Sequence, residues 1–133
     1  MASNANYLLA TIGGRARRRF GALLEGLGLA PSHTQILALL SEGIAGSQRE
    51  IAGVLGLNEG RAVGLLDDLV DRGLIRRDVD PEDRRRRTVT LTAQGRRTID
   101  RVRKLGSDAE AETLAPLSER ERDELRRLLR RLL

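Results

Sequence analysis

A chain of 133 residues, 40% apolar and 32% charged, has the size and balance of one globular domain. It has no cysteine and one histidine, His33, which excludes disulfides, thiolate zinc sites and cysteine nucleophiles and leaves no ligand set for a transition metal. One tyrosine, one phenylalanine and no tryptophan leave the core to aliphatic side chains, while the net charge of +5, carried almost wholly by arginine, suits an anionic partner.

No apolar run is long enough to cross a bilayer, and the N-terminus lacks the charged-then-apolar pattern of a signal peptide. A cytoplasmic protein with no membrane partner and no cofactor is therefore expected. A GC-rich genome accounts for most of the arginine bias, so placement says more than the total. Residues 1–30 sum to +3, 31–79 to −2, 80–97 to +3 and 98–133 to +1.

In chain order, Tyr7, Leu8, Ile12, Ala16, Phe20, Leu23, Leu24 and Leu27 recur at helical spacing, predicting a first helix that stops near Gly26 or Gly28. Pro31 opens a second helix through Ile36, Leu37, Leu39 and Leu40, ending at Gly43. Ser47 and Glu50 have the spacing of a capping box for a short third helix to Leu55, which Gly56 breaks. Asn58 caps a fourth, carrying Ala62, Leu65, Leu66, Leu69 and Val70 and ending before Gly73.

The period then changes. Leu74–Val79 forms a short strand, Asp80-Pro81 starts a turn, and Thr88–Thr92 alternates as a returning strand. Thr92 caps a fifth helix with Ile99, Val102 and Leu105 and a weak point at Gly106. Ser118 and Glu121 form a second capping box, for a last helix striped with Leu125, Leu128, Leu129, Leu132 and Leu133. The fold class is mainly α with a small β-hairpin. It reads as a winged helix-turn-helix of about residues 31–92 within a single domain, flanked by helices at about 5–27 and 93–133.

Two segments carry the functional signal. The fourth helix presents Asn58, Gly60, Arg61 and Gly64 near its N-terminal end, the part of a recognition helix that enters the major groove, where Arg61 can pair with a guanine edge. Asp67, Asp68 and Asp71 make the rest of that helix acidic, which repels a phosphate backbone wherever it faces one. Beyond it, Arg84, Arg85, Arg86 and Arg87 sit at the hairpin tip, where they can reach a narrow minor groove, and Arg76 and Arg77 on the incoming strand can hold flanking phosphates.

From Leu29 to Gly95 the sequence resembles the MarR family of bacterial regulators. The matching blocks are Leu37–Leu40, Gln48-Arg49-Glu50-Ile51-Ala52, Leu69-Val70-Asp71-Arg72-Gly73-Leu74-Ile75, Asp80-Pro81-Glu82-Asp83-Arg84-Arg85 and Val89-Thr90-Leu91-Thr92. The resemblance implies that Arg85 enters the minor groove while Asp83 braces the wing through an ion pair, and it adds Ser47 and Gln48 to the DNA-binding set. It also implies an effector that is a small anionic or phenolic molecule, for which Tyr7, Thr11, Arg15 and His33 are candidates. The pattern departs at the recognition helix, where Gly60, Arg61, Val63 and Gly64 replace the usual hydroxyl residues and arginine, so no operator sequence carries over.

The apolar stripes of the terminal helices exceed what the central domain covers, which predicts a homodimer, as in similar MarR proteins, with two recognition helices on a pseudo-palindromic operator in double-stranded DNA. The leading expectation is a sequence-specific DNA-binding transcriptional regulator, a dimeric repressor of nearby genes relieved by a small-molecule ligand. A winged-helix protein-interaction module with little or no DNA binding is the second reading, motivated by Asp67, Asp68, Asp71 and Gly64. An enzyme is not expected, because no catalytic set can be assembled around one histidine.

Overall fold

Helices begin where a side chain can satisfy the amides that the first turn leaves without acceptors. In the computed structural model, which describes residues 3–133, five of six helices start on such a cap. Asn4 caps α1 (Ala5–Glu25), Ser47 caps α3 (Gln48–Leu55), Asn58 caps α4 (Glu59–Asp71), Thr92 caps α5 (Ala93–Thr113) and Ser118 caps α6 (Glu119–Leu132). The exception is α2 (Pro31–Ser41), where Pro31 removes one orphan amide and His33 Nδ1 accepts the Ala30 N–H at 3.0 Å. Between α3 and α4 the chain turns on Gly56, whose φ of +63° is a left-handed conformation suited to glycine.

The wing is an antiparallel pair, β1 (Ile75–Val79) and β2 (Arg87–Leu91), in the register Ile75 to Leu91, Arg77 to Val89 and Val79 to Arg87. Against the sequence-predicted limits β1 lacks its first residue and β2 is shifted back by one, because Leu74 closes the helix end and Thr92 is already the cap of α5. Two strands bury too little to stand alone. These are fastened to the helices by a bridge from Ser47 to Thr88, by the Val89 N–H on the Gly46 carbonyl at 3.0 Å and by the Thr92 N–H on the Leu74 carbonyl at 3.1 Å. Leu24, Ile36, Leu37, Ile51, Leu66, Leu69, Ile75 and Val89 meet beneath the hairpin as the fully buried core, and Ile99 and Val102 of α5 close it.

The weak point expected at Gly106 is absent. Helix α5 runs unbroken over 21 residues, and Gly106 faces the Phe20 ring of α1. The contact between the two helices, with an Arg19–Glu112 ion pair farther along, compensates the low helix propensity of that glycine. Helix α6 buries none of its residues. It is held to α5 by Arg126, which donates twice to the Glu110 carboxylate at 3.0 Å, and by Arg122 on the carbonyls of Leu114 and Leu117 at 3.1 Å. The Arg126 hydrogen bonds hold the Glu110 carboxyl below its ordinary value. Leu128, Leu129 and Leu132 of α6 and Tyr7, Leu8, Leu9 and Ile12 of α1 remain exposed. No helix among the described residues is long and apolar enough to cross a membrane.

Gly95 is the tightest point of the fold. A Cβ there would lie 2.0 Å from the Leu74 carbonyl oxygen, so α5 meets the base of the hairpin at bare backbone. Gly95→Ala should lower stability by about 3 kcal/mol, a melting-point drop of roughly 10 °C. Gly106→Ala, whose Cβ would meet Phe20 at an ordinary 3.7 Å, should be neutral or raise stability by up to about 1 kcal/mol. Thermal unfolding of the two variants beside the parent checks both expectations.

Candidate nucleic-acid interface

The wing tip is organised by its own acids. Asp80 Oδ1 accepts the Glu82 N–H at 2.9 Å, and the Asp80 N–H returns to the Arg86 carbonyl at 3.0 Å. Asp83 Oδ1 accepts the Arg85 N–H at 3.0 Å, and its carbonyl accepts the Arg86 N–H at 2.9 Å. Asp83 therefore braces the tip as an Asx turn, and among the described residues it makes no ion pair of the kind expected of it.

The four consecutive arginines divide into two kinds. Arg86 donates to Glu50 of α3 at 2.7 Å and lies 3.5 Å from Asp80, while Arg87 donates to the Arg84 carbonyl at 2.9 Å. Arg84 and Arg85 are exposed and, among the described residues, their guanidinium groups have no hydrogen-bond or ion-pair partner. The same holds for Arg49 on α3 and Arg61 on α4. A cleft of about 640 Å³ separates the wing from the two helices, lined by Gln48, Arg49 and Glu50 on one side, Glu59 and Ala62 on the second, and Asp83 and Arg85 on the third.

Two of the four acids of α4 are engaged within the chain, while Glu59 and Asp71 are exposed. Asp67 pairs with Arg77 of β1, and the Asp68 carboxylate lies 3.4 Å from His33 Nε2. Since His33 Nδ1 is an acceptor toward Ala30, Nε2 carries the proton and donates to Asp68. Arg77, expected to hold phosphate, is thus tied to the recognition helix, and Arg76 is 3.3 Å from Asp78 on its own strand. Asn58 Oδ1 is committed to the Arg61 N–H at 2.8 Å, leaving its amide group free. Gly60 and Gly64 are both exposed at the start of α4, with Arg61 between them.

Ser47 departs from the expectation most clearly. It is 2% exposed, and its hydroxyl accepts the Glu50 N–H at 3.2 Å and donates to Glu50 Oε1 at 2.9 Å. The predicted capping box is therefore only half formed, because the Glu50 carboxylate turns to Ser47 Oγ and Arg86 in place of the Ser47 amide. Gln48 beside it is half-buried and lines the cleft. Of the effector candidates, Tyr7 and Arg15 are exposed on α1 and Thr11 is half-buried, whereas His33 is buried with both ring nitrogens engaged inside the chain. The cleft beside the wing includes none of the four. Among the described residues no cluster of histidines and carboxylates could hold a metal ion.

The profile of the MarR family matches residues 27–86. The chain is 30% identical over 126 residues to the HTH-type transcriptional repressor Rv2887 of Mycobacterium tuberculosis, covering 95% of this chain and 91% of that protein. It is 33% identical over 86 residues to the HTH-type transcriptional regulator BilQ of Clostridium symbiosum, covering 65% of this chain and only 60% of that relative's length. A solved structure of a Staphylococcus aureus MepR mutant bound to an oligodeoxyribonucleotide superposes with a TM-score of 0.74 at 25% identity, over 97% of this chain and 95% of that one.

Nothing lies within 4 Å of a Cβ built at Gly64, and its φ is not positive, so the fold itself does not require a bare backbone there. Gly64→Ala should raise stability by about 1 kcal/mol through helix propensity alone, read as an increase in melting temperature. A decrease would mean that the start of α4 is not the regular helix described.

Proposed function

The chain belongs to the MarR family, and from that premise we propose that it is a sequence-specific DNA-binding transcriptional regulator, a homodimeric repressor of nearby genes that a small-molecule ligand releases from its operator. The observation that carries this reading is the set of arginines left without a partner. Arg85 at the wing and Arg49 on α3 line one cleft with the first turn of α4, which also bears Arg61. A phosphate backbone neutralises such groups and releases its own counterions in doing so. In this reading Arg85 probes the minor groove, and Arg84 and Arg49 contact phosphate. Arg61, beside the bare backbone of Gly60 and Gly64, meets base edges in the major groove.

The second copy belongs on the exposed leucines of α6 and the apolar face of α1, which a single chain leaves uncovered. Two recognition helices then reach half-sites about one helical turn apart on a pseudo-palindromic operator. Repression is the direction favoured by the relative from M. tuberculosis, named a repressor. The effector is taken to be a small anionic or phenolic molecule near Tyr7, Thr11 and Arg15 on α1. His33 plays no part as an anion ligand, since its only N–H is committed to Asp68. The protein acts in the cytoplasm and catalyses no reaction.

The alternative, a winged-helix interaction module with little or no DNA binding, drew its support from the acidity of α4. That support is weakened because Asp67 and Asp68 are engaged by Arg77 and His33.

Binding to the intergenic DNA beside its own gene should weaken steeply as salt rises, with a slope of about −0.9 in log K against log salt for each phosphate neutralised. Arg85→Ala should reduce affinity roughly 10- to 100-fold at moderate salt with the dimer intact. An unchanged dissociation constant in titration by fluorescence anisotropy would remove Arg85 from the interface. Leu132→Asp places a charge on the uncovered stripe of α6. It should convert the protein to monomer in sedimentation velocity while leaving its helix content in place, and an unaltered dimer would remove α6 from the interface between copies.

A further inference from the structure

Glu50 is the one acid of the cleft that touches the wing. Its carboxylate accepts the Ser47 hydroxyl at 2.9 Å and the Arg86 guanidinium at 2.7 Å. The backbone of the same Ser47 bridges Thr88 of β2. The N-terminus of α3 thus grips the wing at two heights, at Thr88 through the main chain and at Arg86 through the side chain. Two residues of extended chain put the outer grip about 6–7 Å beyond the inner one, and Arg85 follows directly.

We propose that Glu50 and Arg86 form a positioning pair that fixes the angle of the wing against the helix-turn-helix, so that Arg86 serves as a brace while Arg85 alone of these two reaches the nucleic acid. The pair rests on the DNA-binding reading above. Without this pair the hairpin is held only at and below Thr88, by Val89 on Gly46 and by Arg77 on Asp67, and its outer end can bend, because β1 and β2 form the whole sheet and, among the described residues, no further strand pairs with them. Arg86 is also 3.5 Å from Asp80, which receives the main-chain turn of the tip, so the guanidinium joins α3 to both arms of the hairpin. With side chains about half exposed, the ion pair contributes little to global stability, and its effect is on where the tip points.

Glu50→Gln separates this role from simple electrostatics, because the two predict opposite signs. Removing a negative charge from a cleft that faces phosphate should tighten DNA binding if Glu50 merely repels it. As a brace, Glu50→Gln should weaken binding about three- to tenfold, and Arg86→Gln should do the same. The double variant should lose no more than the worse single one, and the salt slope of all three should equal the parent's. Arg85→Gln should instead flatten that slope by about one contact. Hydrogen exchange on the free protein should show faster exchange at residues 80–88 in both brace variants, with melting temperature little changed.

Tighter binding by Glu50→Gln, multiplicative losses in the double variant, or wing exchange identical to the parent's would each overturn the brace. Failure of the DNA-binding reading has a different signature, a parent protein that shows no salt-dependent binding. The proposed role in aiming Arg85 then falls with it, whatever the exchange rates show of the contact itself.

Discussion

The Gly46 carbonyl receiving the Val89 N–H, beside the bridge from Ser47 to Thr88, is the joint on which the interface depends. Without it a five-residue hairpin arm would extend from α4 with little to hold its direction. With it, the same short loop that starts α3 also sets the inner edge of the wing. Val89 can then enter the core beside Ile51 and Ile75, so hydrophobic burial and main-chain pairing fix the same register. A one-residue slip would send Val89 outward and bring Thr88 or Thr90 into the apolar space. The register of the wing is therefore decided below its tip, in the core, and the arginines above are carried in a frame they do not have to build.

That division of labour explains how a segment so rich in like charge keeps one shape. Arginines packed side by side repel, and a tip holding only cations would splay. Here Asp80 and Asp83 use their side chains on backbone amides, which shapes the turn, while Arg86 and Arg87 are occupied by Glu50 and by a main-chain carbonyl. On α4 the same principle works with the signs reversed, since Asp67 and Asp68 are drawn to Arg77 and His33. Around the cleft and the wing tip, Arg49, Arg61, Arg84 and Arg85 stand without partners against Glu59 and Glu82, so the unpaired groups there are positive in sum although the segment from 31 to 79 is negative. Local charge totals misstate such a surface because paired groups cancel at short range and leave the unpaired ones to set the field.

Much of the architecture could be read from the sequence because it rests on local rules. Asn58, Thr92 and Ser118 start helices where caps were expected, and the change from helical to alternating period after Gly73 marks the hairpin. Apart from the local turn at Asp83 and the strand limits, the misses are contacts between distant residues. Nothing in the spacing of Glu50 and Arg86, 36 residues apart, predicts their pairing, and the local box signal at Ser47 and Glu50 pointed the carboxylate toward the wrong partner. His33 looked available because a lone histidine carries no sign of its surroundings, yet Ala30 and Asp68 take both nitrogens. Propensity marks Gly106 as a weak point, and the Phe20 contact across from it is a tertiary override of that preference. The free arginines of the wing, Arg84 and Arg85, were within the predicted set, but only geometry separates them from Arg86 and Arg77.

The uninterrupted course of α5 has a mechanical consequence. At its start, the Thr92 hydroxyl donates to the Gly73 carbonyl at 2.6 Å and Gly95 lies against the Leu74 carbonyl, so the helix is seated on the base of the hairpin. Near its end, Glu110 is clamped by Arg126 of α6 and Glu112 by Arg19 of α1. Twenty-one residues of α-helix span about 30 Å, and a close-packed helix moves as a body more readily than it bends. A hinge at Gly106 would have let the terminal helices shift while the wing stayed still. Its absence means that any rearrangement of α1 and α6 that displaces α5 must also displace Leu74 and the strand that follows. A force applied to the terminal helices thus has a direct route to the angle of the wing, and Gly95, where no side chain cushions the contact, is where that motion would be passed on.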